Sequence, residues 1–143
     1  MLKVFLVEDE SVIRDGLRDG IPWQQYGFTL VGTASDGEVA LPQIRKLRPD
    51  ILITDIKMPF MDGLTLSRIV TEELPETKTI IISGYDDFEY AQQAIAIGVE
   101  QYLLKPISKG ALLKALRAIK DRMEEEQERS DQNRKYQLDA QEY

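Results

Sequence analysis

Five short apolar runs, spaced along the first 104 residues, limit most strongly what this chain can fold into. They are rich in Val, Ile, Leu, Phe and Tyr, and several lack the polar alternation of a strand with one solvated face. Strands that are covered on both faces of a parallel sheet have this composition. We therefore predict buried parallel strands at Leu2–Val7, Phe28–Thr33, Ile51–Thr54, Thr79–Ile82 and Gln101–Leu104.

The segments between these runs have the spacing of amphipathic helices. Ser11, Asp36 and Asp62 stand where N-caps are expected, and Gly20 and Gly98 lie near helix ends. Alternating strands and helices predict a doubly wound α/β fold with a five-stranded parallel sheet of order 2-1-3-4-5. The predicted apolar helix faces are Val39, Ala40, Ile44 and Leu47; Phe88, Ala91, Ala94 and Ile95; and Leu112, Leu113, Leu116, Ile119 and Met123.

The composition excludes several classes of chemistry. The 143 residues suit one domain, and the absence of cysteine excludes disulfides and thiolate metal sites. The absence of histidine excludes Ser-His-Asp catalysis, histidine-ligated zinc and an imidazole general base. No apolar run reaches membrane-spanning length, and the N-terminus turns acidic too soon for a signal peptide. We expect a cytoplasmic protein without membrane contact.

The charge distribution separates a body from a tail. The net charge of −7 and the lack of a basic stripe argue against direct binding of nucleic acid. Continuing the last apolar helix face beyond Met123 meets only polar residues, so a coiled-coil seam is not encoded. We predict one domain at 1–122, followed at 123–143 by an acidic, helical linker toward an output domain outside this chain.

Polar residues follow four of the predicted strands at the points where they end. In a parallel sheet these positions share one edge, where ligands bind at the reversal of strand order. In the order 2-1-3-4-5 the reversal lies between the first and third strands, which are the two that end in carboxylates. The strand-end residues are Glu8 and Asp9, Asp55, Ser83 and Lys105.

Each of these residues alone has an ordinary explanation as a helix cap, a solvated loop residue or a surface lysine. Together at one edge they favour a reactive site. Three carboxylates repel one another unless a cation compensates, and hard oxygen ligands favour Mg²⁺. Asp55 is the carboxylate best placed as a nucleophile, because an aspartyl phosphate needs no histidine on the same chain. The loop after Asp55 can turn the main-chain carbonyl of Lys57 toward the metal.

The motif DIKMPFMDG, residues 55–63, together with the strand-end residues, resembles the response-regulator receiver domain of bacterial two-component signalling. The resemblance covers about the first 120 residues and implies the flavodoxin-like receiver fold. It also implies a sensor histidine kinase as the phosphodonor, and at most slow autophosphorylation and autodephosphorylation as activities. The implied roles are Glu8, Asp9, Asp55 and the Lys57 carbonyl for Mg²⁺, Asp55 for phosphoryl acceptance, Lys105 for phosphoryl contact, Ser83 as switch hydroxyl and Tyr102 as switch aromatic.

Four details refine the resemblance. Glu8 stands where aspartate is commoner in the family, which lengthens one arm of the metal site. A cis peptide bond is expected at Lys105–Pro106, because receivers of this kind commonly turn the lysine back into the site in this way. Residues 21–41 and 84–106 resemble receivers attached to AraC-type helix-turn-helix output domains, so DNA contact is implied only through a domain outside this chain. A homodimer through the fourth helix, fifth strand and fifth helix is a further implied partner state.

Three other classes fit the sequence less well. A phosphatase of the haloacid dehalogenase class needs a D-x-D motif after its first strand and a late acidic motif, whereas this chain has Lys105-Pro106 late. A flavodoxin-like binding protein needs a Ser/Thr/Gly-rich phosphate loop where this chain has EDES. A receiver-like interaction module without phosphorylation would normally lack Asp55 or Lys105, and both are present.

Overall fold

The computed structural model describes residues 1–84 and 88–141 and contains a five-stranded sheet of order β2-β1-β3-β4-β5. All neighbouring strands pair in parallel, which confirms the predicted fold class and strand order. Each predicted strand agrees with the observed one to within a residue at either end. The strands are β1 (Leu2–Val7), β2 (Phe28–Ala34), β3 (Ile51–Asp55), β4 (Lys78–Ser83) and β5 (Gln101–Leu104).

The helices connect successive strands and cover both faces of the sheet. Asp36 and Asp62 cap helices as predicted, with side chains that accept hydrogen bonds from Val39 N–H and Thr65 N–H. The prediction for Ser11 is wrong, because Glu10 precedes the first helix and makes no side-chain capping bond. The helices are α1 (Ser11–Gly20), α2 (Gly37–Leu47), α3 (Gly63–Glu73), α4 (Phe88–Ile97) and α5 (Lys109–Gln141), with a 3₁₀ turn at Gln24–Tyr26.

Burial on both faces explains why the strands are so apolar. In β1, Val4 and Leu6 pack in a cluster with residues of α1 and α5. Phe5 and Val7 point to the opposite face and pack with residues of α2 and α3. Both faces of β1 are therefore covered by helices, and the sheet fixes the positions of the polar residues at its carboxyl edge.

The apolar face predicted for α4 is wrong at two positions. Phe88 and Ile95 are 74% and 77% exposed, whereas Ala94 is fully buried. Tyr90 and Ile97 flank Ala94 at helical spacing, and both pack against a buried cluster formed by Ala94 with Ile56, Leu64 and Ile81. Helix α4 is therefore oriented with Tyr90, Ala94 and Ile97 toward the core, and Phe88 and Ile95 point to solvent.

Helix α5 crosses the predicted boundary at 122/123 without a break. Its extension is held to the sheet by ion pairs at the amino ends of β4 and β5: Arg122 contacts Glu100, and Lys78 lies 3.7 Å from Glu126. Beyond these contacts the side chains up to residue 138 are exposed. Among the helices of the described ranges, none is both long and apolar enough to cross a membrane.

Candidate functional site

The parallel register brings the carboxyl ends of four strands to one edge of the sheet. The last paired residues are Val7 with Thr54, Asp55 with Ile82, and Ser83 with Leu104. The predicted polar residues lie on or just after these pairs. The carboxyl edge of the sheet therefore carries Glu8, Asp9, Asp55, Ser83 and Lys105.

Three carboxylates converge at this edge. One oxygen from each of Glu8, Asp9 and Asp55 lies within 4.8 Å of the others. Glu8 and Asp55 are only 3% and 7% exposed, whereas Asp9 is more accessible. Buried carboxylates need opposite charge close by, because removing them from water is costly.

Lys105 supplies part of that charge. Its ammonium lies 2.6 Å from Glu8 Oε1 and 2.8 Å from Asp55 Oδ2. Partial burial lowers the pKa of Lys105, but hydrogen bonds to Asp55 and Glu8 outweigh this effect and leave the pKa raised. The Lys105–Pro106 peptide bond is cis, as predicted. Lys105 is therefore charged and points into the acid cluster.

One ammonium does not balance three carboxylates. Burial raises the pKa of Glu8 to about 7, against the lowering effect of the Lys105 hydrogen bond, and Asp9 and Asp55 add to the increase. Two formal negative charges remain when all three acids are ionised. This donor set fits a divalent cation, and carboxylate oxygens are the hard ligands that Mg²⁺ prefers.

Asp55 is held from two sides. Its Oδ1 accepts a hydrogen bond of 2.7 Å from Ile56 N–H, and its Oδ2 accepts one from Lys105. The start of α3 lies directly behind it, because Gly63 N–H donates to the Ile56 carbonyl at 2.7 Å. A Cβ atom on Gly63 would lie 1.7 Å from the Asp55 carbonyl oxygen. The glycine that ends the DIKMPFMDG motif thus makes space for the backbone of the carboxylate that begins it.

The other three predicted residues differ in burial and in the contacts that they make. Ser83 is fully buried at the end of β4, and its carbonyl accepts the Lys105 N–H at 2.7 Å. Tyr102 is half-buried on β5 and, like Tyr90 of α4, packs against the buried cluster that contains Ile81 and Ala94. The exposed Lys57 side chain places its amine 5.8 Å from the centroid of the Tyr90 ring. A role for the Lys57 carbonyl stays a prediction.

One contact of the site was missed from the sequence. The Arg14 guanidinium, on α1, donates from Nη1 to the main-chain carbonyl of Glu8 at 2.8 Å. The available signal was a lone cation one helical turn after Glu10. That signal is weak, because a basic residue at such a position is commonly solvated.

These features define an α/β domain of the doubly wound class, with an acidic site at the switch point of its sheet. A family model for the response regulator receiver domain matches residues 4–117, and the chain belongs to that family. Receiver domains are generally phosphoacceptors rather than enzymes, and they bind Mg²⁺ at an acidic pocket. Response regulators act with sensor histidine kinases as partners.

Individual relatives agree with this assignment. The uncharacterized transcriptional regulatory protein YesN of Bacillus subtilis is 41% identical over 119 residues, which are 83% of this chain and 32% of YesN. The transcriptional regulatory protein HptR of Staphylococcus aureus strain N315 is 43% identical over 112 residues, 78% of this chain and 44% of HptR. This chain therefore spans less than half the length of these curated relatives.

Solved structures agree in fold. The REC domain of AraT, a response regulator from Geobacillus stearothermophilus, superposes with a TM-score of 0.82 and 43% identity. That match covers 88% of this chain and 98% of the AraT domain. A CheY-like receiver domain protein from Methanospirillum hungatei, at 24% identity and a TM-score of 0.80, is similar in fold over 88% of this chain and 98% of its own.

Proposed function

We propose that Asp55 accepts a phosphoryl group from a sensor histidine kinase and that the domain relays this event to a transcriptional output domain. The observation that supports this most directly is the paired support of Asp55 by Ile56 N–H and the Lys105 ammonium. In the transfer, an Asp55 carboxylate oxygen bonds to phosphorus while the P–N bond of the donor phosphohistidine breaks. The electron pair of that bond returns to the imidazole nitrogen.

The surrounding residues have complementary roles in this proposal. Glu8, Asp9 and Asp55 would hold Mg²⁺, together with the Lys57 carbonyl, and the bound ion would supply positive charge for the phosphoryl oxygens. After transfer, the Asp55 oxygen carries the phosphoryl group, and the Lys105 ammonium contacts a phosphoryl oxygen. The similarity of residues 21–41 and 84–106 to receivers of AraC-type regulators supports an AraC-type output domain. Three of those residues, 85–87, lie outside the described ranges.

The first test is phosphorylation by a small donor and its dependence on metal. With acetyl phosphate and Mg²⁺, we expect the intact mass to rise by one phosphoryl group. Chelation of divalent ions is expected to abolish the increase, because two uncompensated negative charges then repel an anionic donor. Equal labelling with Mg²⁺ and with excess EDTA would contradict the role of the acid cluster.

The proposed output of phosphorylation runs through Ser83 and Tyr102. A phosphoryl group on Asp55 attracts the Ser83 hydroxyl, since a charge-assisted hydrogen bond is about twice as strong as a neutral one. Movement of Ser83 makes room behind β4 for the Tyr102 ring of β5. The change would reshape the surface of α4, β5 and α5, where the exposed Phe88, Ile95 and Leu104 could meet a second copy of the domain.

Ser83→Ala is expected to weaken this coupling without preventing phosphorylation. A beryllium fluoride adduct should raise the dimer fraction of the wild type in sedimentation experiments. The increase should be partial, because a ligand shifts an equilibrium only by its differential interaction with the two states. In Ser83→Ala the increase should be smaller, whereas Ser11→Ala, at an exposed serine, should behave as wild type. An unchanged response in Ser83→Ala would contradict the route through Ser83.

A further inference from the structure

The main-chain and side-chain groups of Glu8 are held by contacts from four directions. Its N–H donates to the Ala34 carbonyl at 3.0 Å, which extends the pairing of β1 with β2 by one residue. Its Oε1 meets the Lys105 ammonium, and its Oε2 accepts from Glu10 N–H at 3.2 Å. Its carbonyl accepts from Arg14 Nη1 at 2.8 Å. The Arg14 contact alone reaches Glu8 from a side chain of α1.

The carbonyl that Arg14 binds lies in the peptide group joining Glu8 to Asp9. Because a peptide group is planar, a contact that fixes the direction of this carbonyl also fixes the plane in which the Cα atoms of Glu8 and Asp9 lie. Both flanking residues contribute carboxylate oxygens to the acid cluster. A single contact from Arg14 therefore acts on the backbone that carries two of the three carboxylates in the cluster.

Helix α1 lacks the side-chain cap that α2 and α3 have. Asp36 and Asp62 hold the first turns of α2 and α3, whereas Glu10 makes no side-chain capping bond at the start of α1. Arg14 instead reaches back from the helix to the loop that precedes it. The loop bearing Glu8 and Asp9 is thereby attached to α1 through a guanidinium.

We propose that Arg14 is a positioning residue for the acid cluster, where it sets the geometry in which Glu8 and Asp9 bind a divalent cation. This inference rests on the proposed function of the cluster as a Mg²⁺ site. Partners that orient metal ligands without touching the metal typically contribute about 10- to 100-fold to metal affinity. We expect the lower end of this range, because Lys105, Glu10 and Ala34 continue to hold Glu8.

The sign of the effect separates positioning from simple electrostatics. Removing a positive charge near an acidic site strengthens the attraction of a cation, so charge alone predicts tighter Mg²⁺ binding in Arg14→Met. Positioning predicts weaker binding. Arg18 is a matched control, because it lies one turn further along α1 and its exposed guanidinium contacts Asp15 and Asp19 instead of the site.

The experiment is a calorimetric titration of Mg²⁺ into the wild type, Arg14→Met, Arg14→Lys and Arg18→Met at one ionic strength. We expect Arg14→Met to bind about 10-fold more weakly. Arg18→Met should bind as tightly as the wild type or slightly more tightly. Arg14→Lys should recover most of the loss, since an ammonium also donates to a carbonyl. Melting temperatures measured without Mg²⁺ establish that every variant is folded.

Two results would overturn the inference while leaving the proposed function intact. One is Mg²⁺ binding by Arg14→Met that equals or exceeds that of the wild type. The other is an equal loss of affinity in Arg14→Met and Arg18→Met, which would assign the effect to α1 as a whole. A wild type that does not bind Mg²⁺ would instead overturn the proposed function together with the inference.

Discussion

The Asp55→Asn variant is expected to gain no phosphoryl group from acetyl phosphate and Mg²⁺ under conditions that label the wild type. The amide has the shape of the carboxylate, and its oxygen can still accept a bond from Ile56 N–H or Lys105. It lacks the anionic oxygen that attacks phosphorus, so the loss should be complete and not partial. Intact mass spectrometry measures the result directly. Hydroxylamine treatment then tests whether the wild-type label is an acyl phosphate.

Asp36→Asn provides a matched control for this experiment. Asp36 is also buried and follows β2 at the same edge of the sheet, but its side chain caps α2 through Val39 N–H. Asparagine caps helices about as well as aspartate, so the fold should be retained. This variant should be phosphorylated like the wild type. A hydroxylamine-labile label in Asp55→Asn at the wild-type rate would show that another carboxylate is the acceptor.

The strands and the edge at which they end were predictable because both depend on one property of the sequence. A strand covered on both faces must be apolar at nearly every position, as Ile51–Asp55 is up to its final carboxylate. The polar residue that ends each run then marks the edge of the sheet. For this reason the sequence alone predicts that Glu8, Asp55 and Lys105 lie at one edge, and in the structure Lys105 lies 2.6 and 2.8 Å from the two carboxylates.

The contacts that depend on side-chain direction were not predictable in the same way. The four apolar residues assigned to one face of α4 satisfy helical spacing, but so do Tyr90, Ala94 and Ile97. Only packing against β4 and β5 decides between these two sets. Arg14 presents the same problem, because its partner is the main-chain carbonyl of Glu8. The sequence does not show which main-chain carbonyls lack a hydrogen-bond donor. The ion pairs of Arg122 and Glu126 likewise depend on the direction in which α5 leaves the sheet.

Gly63→Ala is expected to destabilise the fold strongly, by about 3 kcal/mol or more, at the upper end of the range for overpacking. The added Cβ would lie 1.7 Å from the Asp55 carbonyl oxygen and 2.8 Å from its carbon. Both are backbone atoms of β3, so no side-chain rotation relieves the contact, and α3 must move away from the strand. A fall in melting temperature on the order of 10 °C should follow. Thermal and urea unfolding monitored by circular dichroism measure the change.

Gly16→Ala separates this loss of space from the general effect of replacing a helical glycine. A Cβ on Gly16, within α1, meets nothing within 4 Å. Alanine is favoured over glycine inside a helix by roughly 0.5–1 kcal/mol, so this variant should be stabilised. The same preference acts on Gly63 at the start of α3, and the collision with Asp55 must exceed it. Unfolding free energies that rise in both variants would mean that α3 can leave its place behind Asp55 at little cost. The close approach of Gly63 would then not be what holds the phosphoacceptor candidate in position.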